Sequence, residues 1–169
     1  MPDSIKTPRL LLQPFVPADA PALFCFMSDG RSMQHTYIAP SLEHCSARLS
    51  VYESMRKSRG FAPWVARELR SGQVVGWGGL SVDPDEPGWG TEVSYAFAPA
   101  AWGQGYATEL VQHAVAHAFG TLSIPELHAF AMQANRASIR VLHKCGFAYL
   151  RFEASLDRNH YIAKAPSAA

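Results

Sequence analysis

The segment that most restricts the fold is residues 91–132. From 91 to 98 the chain alternates, with Val93, Tyr95 and Phe97 on one face and Glu92, Ser94 and Ala96 on the other, which is the period of a strand. Two glycines then bracket Gln104 in "WGQGYATEL". Directly afterwards Ala107, Leu110, Val111, Ala114, Val115 and Ala118 recur at helical spacing, predicting a helix over 106–120 that Gly120 stops. A further strand is expected at 126–132. Strand, helix and strand in that order form a crossover unit, so the two strands must lie parallel in one sheet.

Around this unit the spacing predicts a strand at 9–15, a helix at 17–29, a loop at 30–40 and a helix at 42–58 with Ser41 as its N-cap. Strands at 61–68 and 73–83 are separated by the turn "RSGQ", and "DPDEPGWG" leads into the strand at 91–98; these short links predict antiparallel neighbours. A helix at 135–145 ends at Gly146, and strands follow near 147–153 and 158–163. The expected fold is α+β: a mixed, mostly antiparallel sheet of about seven strands, helices on both faces and one parallel pair. At 169 residues the chain is expected to be one domain, with a frayed tail from about 164.

The glycine string has its own chemistry. Glycine tolerates positive φ and lets a ligand approach the backbone. The first turn of a helix carries unpaired N–H groups and partial positive charge, so this segment can seat a phosphate without lysine or arginine. It is not a P-loop, because no GK pair follows. Nor does it complete a dinucleotide fingerprint: Thr108 stands where the third glycine belongs, and Glu126, about twenty residues on, opens a strand instead of ending one. A tight turn that binds nothing is the plain alternative.

At this point the chain resembles the GNAT N-acetyltransferases. "EVSYAFAPAAWGQGYATELVQHAVAHAF" looks like that family's motif A, in the form found in the branch of the ribosomal-protein N-terminal acetyltransferases. "TPRLLLQPFVPADA", "WVARELRSGQVVGWGGL" and "NRASIRVLHKCGF" resemble other parts of the branch in the right order, over about 7–163. The resemblance implies acetyl transfer from acetyl-CoA to an amine. It implies a pyrophosphate seat on the amides of Gly103, Gln104, Gly105, Tyr106 and Ala107, with Thr108 and with Trp102 opening the motif. It implies a pantetheine arm between the splayed strands, paired with Phe97 and Ala98, and a contact from Asn135. Many members carry a general-acid tyrosine seven residues after that asparagine. Leu142 stands there, and in the resembling branch Ser138 takes the role.

The chemistry asks for a base, because an amine near neutral pH is mostly protonated. Glu92, beside the small Ser94 and Ala96, is the candidate, with Glu109 a weaker one; a solvated strand glutamate is the plain alternative for Glu92. The departing thiolate needs little help, so Ser138 is expected to be a modest acid or donor. Arg136 or Arg140 could reach a terminal phosphate, although with Lys144 they also read as a charged helix face. His35 and Tyr37, in the loop before the second long helix, are candidates for the acceptor pocket.

Other classes fit poorly. Glu109, His113 and His117 share a helix face, but without HExxH or a further ligand they read as solvated, and no metal is expected. Net charge is +1, which gives no basic footprint for nucleic acid or membrane. No apolar run reaches the ~18–20 residues that span a bilayer, and the N-terminus lacks a signal-peptide layout. Cys25, Cys45 and Cys145 read as buried free thiols of a reducing cytoplasm. The acceptor is left as a peptide N-terminus or a small amine, the assembly as monomer or homodimer. A non-catalytic CoA-binding or regulatory module is the alternative function.

Overall fold

The computed structural model describes residues 4–166. Eight strands form one sheet in the order β1-β2-β3-β4-β5-β6-β8-β7. They are β1 (Ile5–Lys6), β2 (Leu10–Gln13), β3 (Trp64–Glu68), β4 (Val74–Ser81), β5 (Glu92–Phe97), β6 (Glu126–Ala131), β7 (Ala148–Glu153) and β8 (Arg158–Lys164). All neighbours are antiparallel except β5 and β6. The expected count of about seven rises by one because Ile5 and Lys6 pair with Leu12 and Leu11, a two-residue strand too short to show a period.

Four helices cover the sheet: α1 (Ala20–Met27), α2 (Leu42–Arg59), α3 (Tyr106–Gly120) and α4 (Arg136–Lys144). Leu110, Val111, Ala114 and Ala118 of α3 and Leu142 of α4 pack with Val93 and Phe97 on one face. Leu23, Phe26 and Met27 of α1 and Cys45 and Leu49 of α2 pack with Val65 on the other. The alternation in β5 therefore separates its faces as its sequence predicts: Val93 and Phe97 belong to the α3–α4 side, while Ala96 touches the α1–α2 core. Burying a leucine such as Leu110 contributes about 1.5–3 kcal/mol, and Leu110 is wholly inaccessible.

Local signals set the ends of the helices. Ser41 accepts a hydrogen bond from the His44 N–H (3.1 Å) and starts α2. Asn135 does the same for α4, accepting from the Ser138 N–H at 3.1 Å. Gly120 does not stop α3: it is the last helical residue and Thr121 is the cap. Beyond the expected start of the tail, Lys164 closes β8 and the Ala165 N–H donates to the Pro125 carbonyl (2.9 Å), while the end of the tail, 167–169, lies outside the described residues.

β4 lies tight against β5. At Gly78 a Cβ would stand 2.6 Å from Tyr95 Cβ and 2.8 Å from the Ser94 carbonyl oxygen, so only glycine permits this approach. β5 and β6, by contrast, are joined at one paired position, Glu92 with His128, where the His128 N–H donates to the Thr91 carbonyl (2.9 Å). Beyond it they part, and a cleft opens.

Candidate active site

The cleft has a volume of about 660 Å³ and runs from the parting strands to the start of α3. Backbone parity decides what lines the gap. The Thr91 carbonyl faces β6, and the Ala98 N–H faces β4, donating to the Val75 carbonyl (2.9 Å). Along a pleated strand the odd residues Tyr95 and Phe97 then turn their backbone groups toward the gap. This corrects the expectation for Ala98, whose amide is already taken. The Phe97 carbonyl is also engaged, by the Trp102 indole N–H at 2.7 Å. Tyr95, with the Phe97 N–H, is what remains to pair with an extended ligand arm.

At the helix end, Gly103 and Gly105 take φ of 72° and 81°, in the left-handed region that glycine favours. Gly105 is the N-cap of α3 and no side chain caps the helix. The first intrahelical bond is the Glu109 N–H to the Gly105 carbonyl (3.1 Å), so the amides of Tyr106, Ala107 and Thr108 precede it and remain donors. Gln104 turns its side chain back onto the Ala100 carbonyl (2.9 Å). The Tyr106 hydroxyl points away and donates to Glu68 (2.6 Å), so Tyr106 offers this end its amide alone.

Arg9 and Glu109 clasp this loop from outside. Glu109 accepts from the Arg9 guanidinium (2.8 Å), the Arg9 N–H (2.8 Å) and the Thr7 hydroxyl (2.5 Å). Arg9 also donates to the Gln104 carbonyl (2.5 Å) and lies 4.9 Å from the centre of the Tyr106 ring. Burial alone would raise the Glu109 carboxyl, but these donors outweigh it and hold it below the usual range. Glu109 is therefore a brace for the loop and not a base. His113 and His117 are half-buried rather than solvated, edge-on to Trp64 at 5.9 and 6.0 Å.

Arg136, Arg140 and Lys144 of α4 line the same cleft, and none forms an ion pair among the described residues. With the uncapped amides they make a cationic end that fits a diphosphate and a further phosphate. Asn135 spends its side-chain carbonyl on its own helix, leaving its amide nitrogen for a ligand.

The other end of the cleft lies where β5 and β6 begin to part. Glu92 faces the cleft from the α1–α2 side, and burial, with Asp83 and Glu86 nearby, pushes its carboxyl up to about 7. From the α4 side, the Ser138 hydroxyl lies 2.7 Å from the Tyr95 hydroxyl. Burial raises the tyrosine above its usual range, outweighing Ser138, so it stays protonated. Sequence reasoning placed Tyr95 on the core face and missed this pairing. Leu142, seven residues after Asn135, is in the core at 1% exposure.

Of the acceptor-loop candidates, His35 lines the cleft; Tyr37 does not, and its hydroxyl bonds to His44 Nε2 (3.1 Å). Burial pushes the Cys145 thiol up to about 11, and it donates to the Thr108 carbonyl (3.7 Å), far from nucleophile behaviour. Cys25 is exposed, unlike Cys45 and Cys145, and all three are free. Among the described residues no group of three or more His, Cys, Asp or Glu side chains could hold a metal ion, and no helix is long and apolar enough to cross a membrane.

A seam opened beside an uncapped helix, with a carboxylate on one wall and hydroxyls on the other, defines a site for a long anionic ligand and a reacting group. The family comparison agrees. Residues 9–148 match the acetyltransferase (GNAT) domain, and the chain belongs to that family of acetyl-CoA-dependent enzymes. The Bacillus subtilis (strain 168) protein YkkB is 28% identical over 147 residues, covering 86% of this chain and 85% of its own. The acetyltransferase of Agrobacterium tumefaciens str. C58 superposes with a TM-score of 0.81 at 23% identity, over 94% of this chain and 92% of that one. AAC(6')-Ib, solved with ribostamycin and coenzyme A, has a TM-score of 0.72 at 16% identity, over 92% and 93%, which is a likeness of fold.

Proposed function

We propose that the protein is an N-acetyltransferase that moves the acetyl group of acetyl-CoA to a primary amine by direct attack, with both substrates bound together. The glycine and Asn-x-x-Ser strings favour the branch of the ribosomal-protein N-terminal acetyltransferases, acting in the cytoplasm as monomer or homodimer. The observation that carries the reading is the position of Glu92 and of the Ser138–Tyr95 hydroxyl pair on opposite walls of one cleft.

In this reading the amides of Gly103 to Ala107 and of Thr108 hold the pyrophosphate, Arg140 or Arg136 the terminal phosphate, and Tyr95 and Phe97 the pantetheine arm. Acetyl-CoA, when bound there, supplies an acetyl thioester whose leaving group is a stabilised thiolate. Glu92, titrating near 7, takes the proton of the attacking amine. The Tyr95 N–H of β5, with the Tyr95 carbonyl and Phe97 N–H left for the arm, stabilises negative charge on the attacked carbonyl oxygen. Ser138, backed by the protonated Tyr95, donates toward the sulfur.

The test is release of free thiol from acetyl-CoA with a panel of peptide N-termini and small amines. Wild-type protein is expected to acetylate members of the panel, with kcat falling sharply in Glu92→Gln and less in Ser138→Ala. Micromolar CoA binding with no amine ever acetylated would instead describe a non-catalytic CoA-binding module.

A further inference from the structure

The acceptor half of the cleft is electrically polar along its length. At one end stands Glu92, with Asp83 and Glu86 close enough to act on it. These carboxylates favour the amine. At the other end stands Arg158, at the start of β8, which also lines the cleft.

Register sets the separation. Glu92 is level with His128, whereas Asn159 is level with Ala131, so Arg158 lies about four residues further along the sheet. At ~3.3 Å per residue that is about 13 Å along the strands, with β6 lying between β5 and β8. The two charges thus occupy opposite ends of the acceptor floor.

Arg158 is held but not neutralised. One guanidinium N–H donates to the His35 carbonyl (2.8 Å), tying β8 to the acceptor loop. No carboxylate pairs with it among the described residues. Its cross-strand partner Glu153 is taken by Arg151 and His160. A guanidinium carries five N–H groups in a planar fork, so several remain for a ligand. Such a fork, partly withdrawn from water and lacking a counterion, matches an oxyanion.

We propose that Arg158 binds an anionic group of the acceptor, so that the acceptor is a primary amine bearing a carboxylate several bonds away. This rests on the reading of the cleft as an acetyltransferase site. It points away from polycationic amines and toward short peptides. The carboxylate can be a free C-terminus or an acidic side chain close to the N-terminus.

Three matched tripeptide sets separate these sources: a free acid, its C-terminal amide, and an amide with glutamate at the second or third position. For wild-type protein, one or both carboxylate sets are expected to exceed the neutral amide by about tenfold or more in kcat/KM. Arg158→Gln is expected to erase that preference while CoA affinity, measured by calorimetry, stays unchanged. Arg158→Lys is expected to keep part of it. A purely structural arginine would lower all three sets together. Equal rates for charged and neutral sets in the wild type, or a preference that survives Arg158→Gln, would overturn the proposal and leave the transferase reading standing. If Arg158→Gln does not fold, the wild-type ratio of charged to neutral peptides decides alone, and it should shrink with added salt. Acetylation of no amine at all, with CoA bound, overturns both readings.

Discussion

The hydroxyls of Tyr95, on the central strand β5, and Ser138, in the first turn of α4, lie 2.7 Å apart. Together they place a protonated donor at the cleft. If they act as one unit, removing either should cost about as much as removing both. Tyr95→Phe, Ser138→Ala and the double variant are each expected to lower kcat by about tenfold, below the usual range for proton donors because a thiolate leaves easily. Multiplicative losses in the double variant, measured by steady-state kinetics, would show that the two act independently.

Glu92 sets a pH dependence. Its carboxyl titrates at about 7, raised chiefly by burial and then by Asp83 and Glu86. As the proposed base it must be ionised, so kcat/KM is expected to rise with pH through about 7 and level off above. Glu92→Gln should flatten that limb. Stability runs the opposite way: the raised value favours the folded state below about 4.5, and that advantage is lost as pH rises through about 7. Glu92→Gln should therefore stabilise the fold at pH 8 by on the order of 1 kcal/mol, allowing for solvent screening, and not at pH 4. Urea melts at the two pH values check the sign.

The clasp of Glu109 on Arg9 and Thr7 joins the first strands to the glycine loop. Glu109→Ala leaves several donors unpaired and is expected to destabilise the fold by about 1–3 kcal/mol. CoA affinity should weaken as well, because Arg9 would lose its hold beside Gln104. An unchanged Kd with lowered stability would confine the clasp to a folding role.

Gly105 tests the loop itself. Its φ of 81° is in the left-handed region, and a Cβ there would meet Arg9 Nη2 at 3.3 Å. Gly105→Ala is expected to cost about 1–2 kcal/mol in backbone strain and to weaken CoA binding. Denaturant melts and calorimetry read the two effects separately.

Patterns within one element were legible before any coordinates. The alternation of β5, the stripe of α3 and the cap Ser41 each rest on residues a few positions apart. What escaped depends on distant partners. Arg158 meets the loop before α2 at the His35 carbonyl, across 123 positions. The Ala98 amide faces the wrong way for a ligand because β4 occupies it, and parity cannot be assigned before the pairing is known. His113 and His117 read as solvated on their own helix, but Trp64 of β3 packs edge-on against both. The hydroxyl pair had a signal in hindsight: Tyr95 and Ser138 each sit in one of the two family strings. Nothing in either string says that the strings touch.

The seam between β5 and β6 carries one last consequence. Two blocks of strands meet there at a single rung, and a ligand bound in the gap as proposed would supply the rungs the polypeptide leaves out. Its binding energy is then folding energy, and the folded fraction grows with the ligand's free concentration. A chain built this way would melt at a temperature that rises with the concentration of the ligand filling its gap.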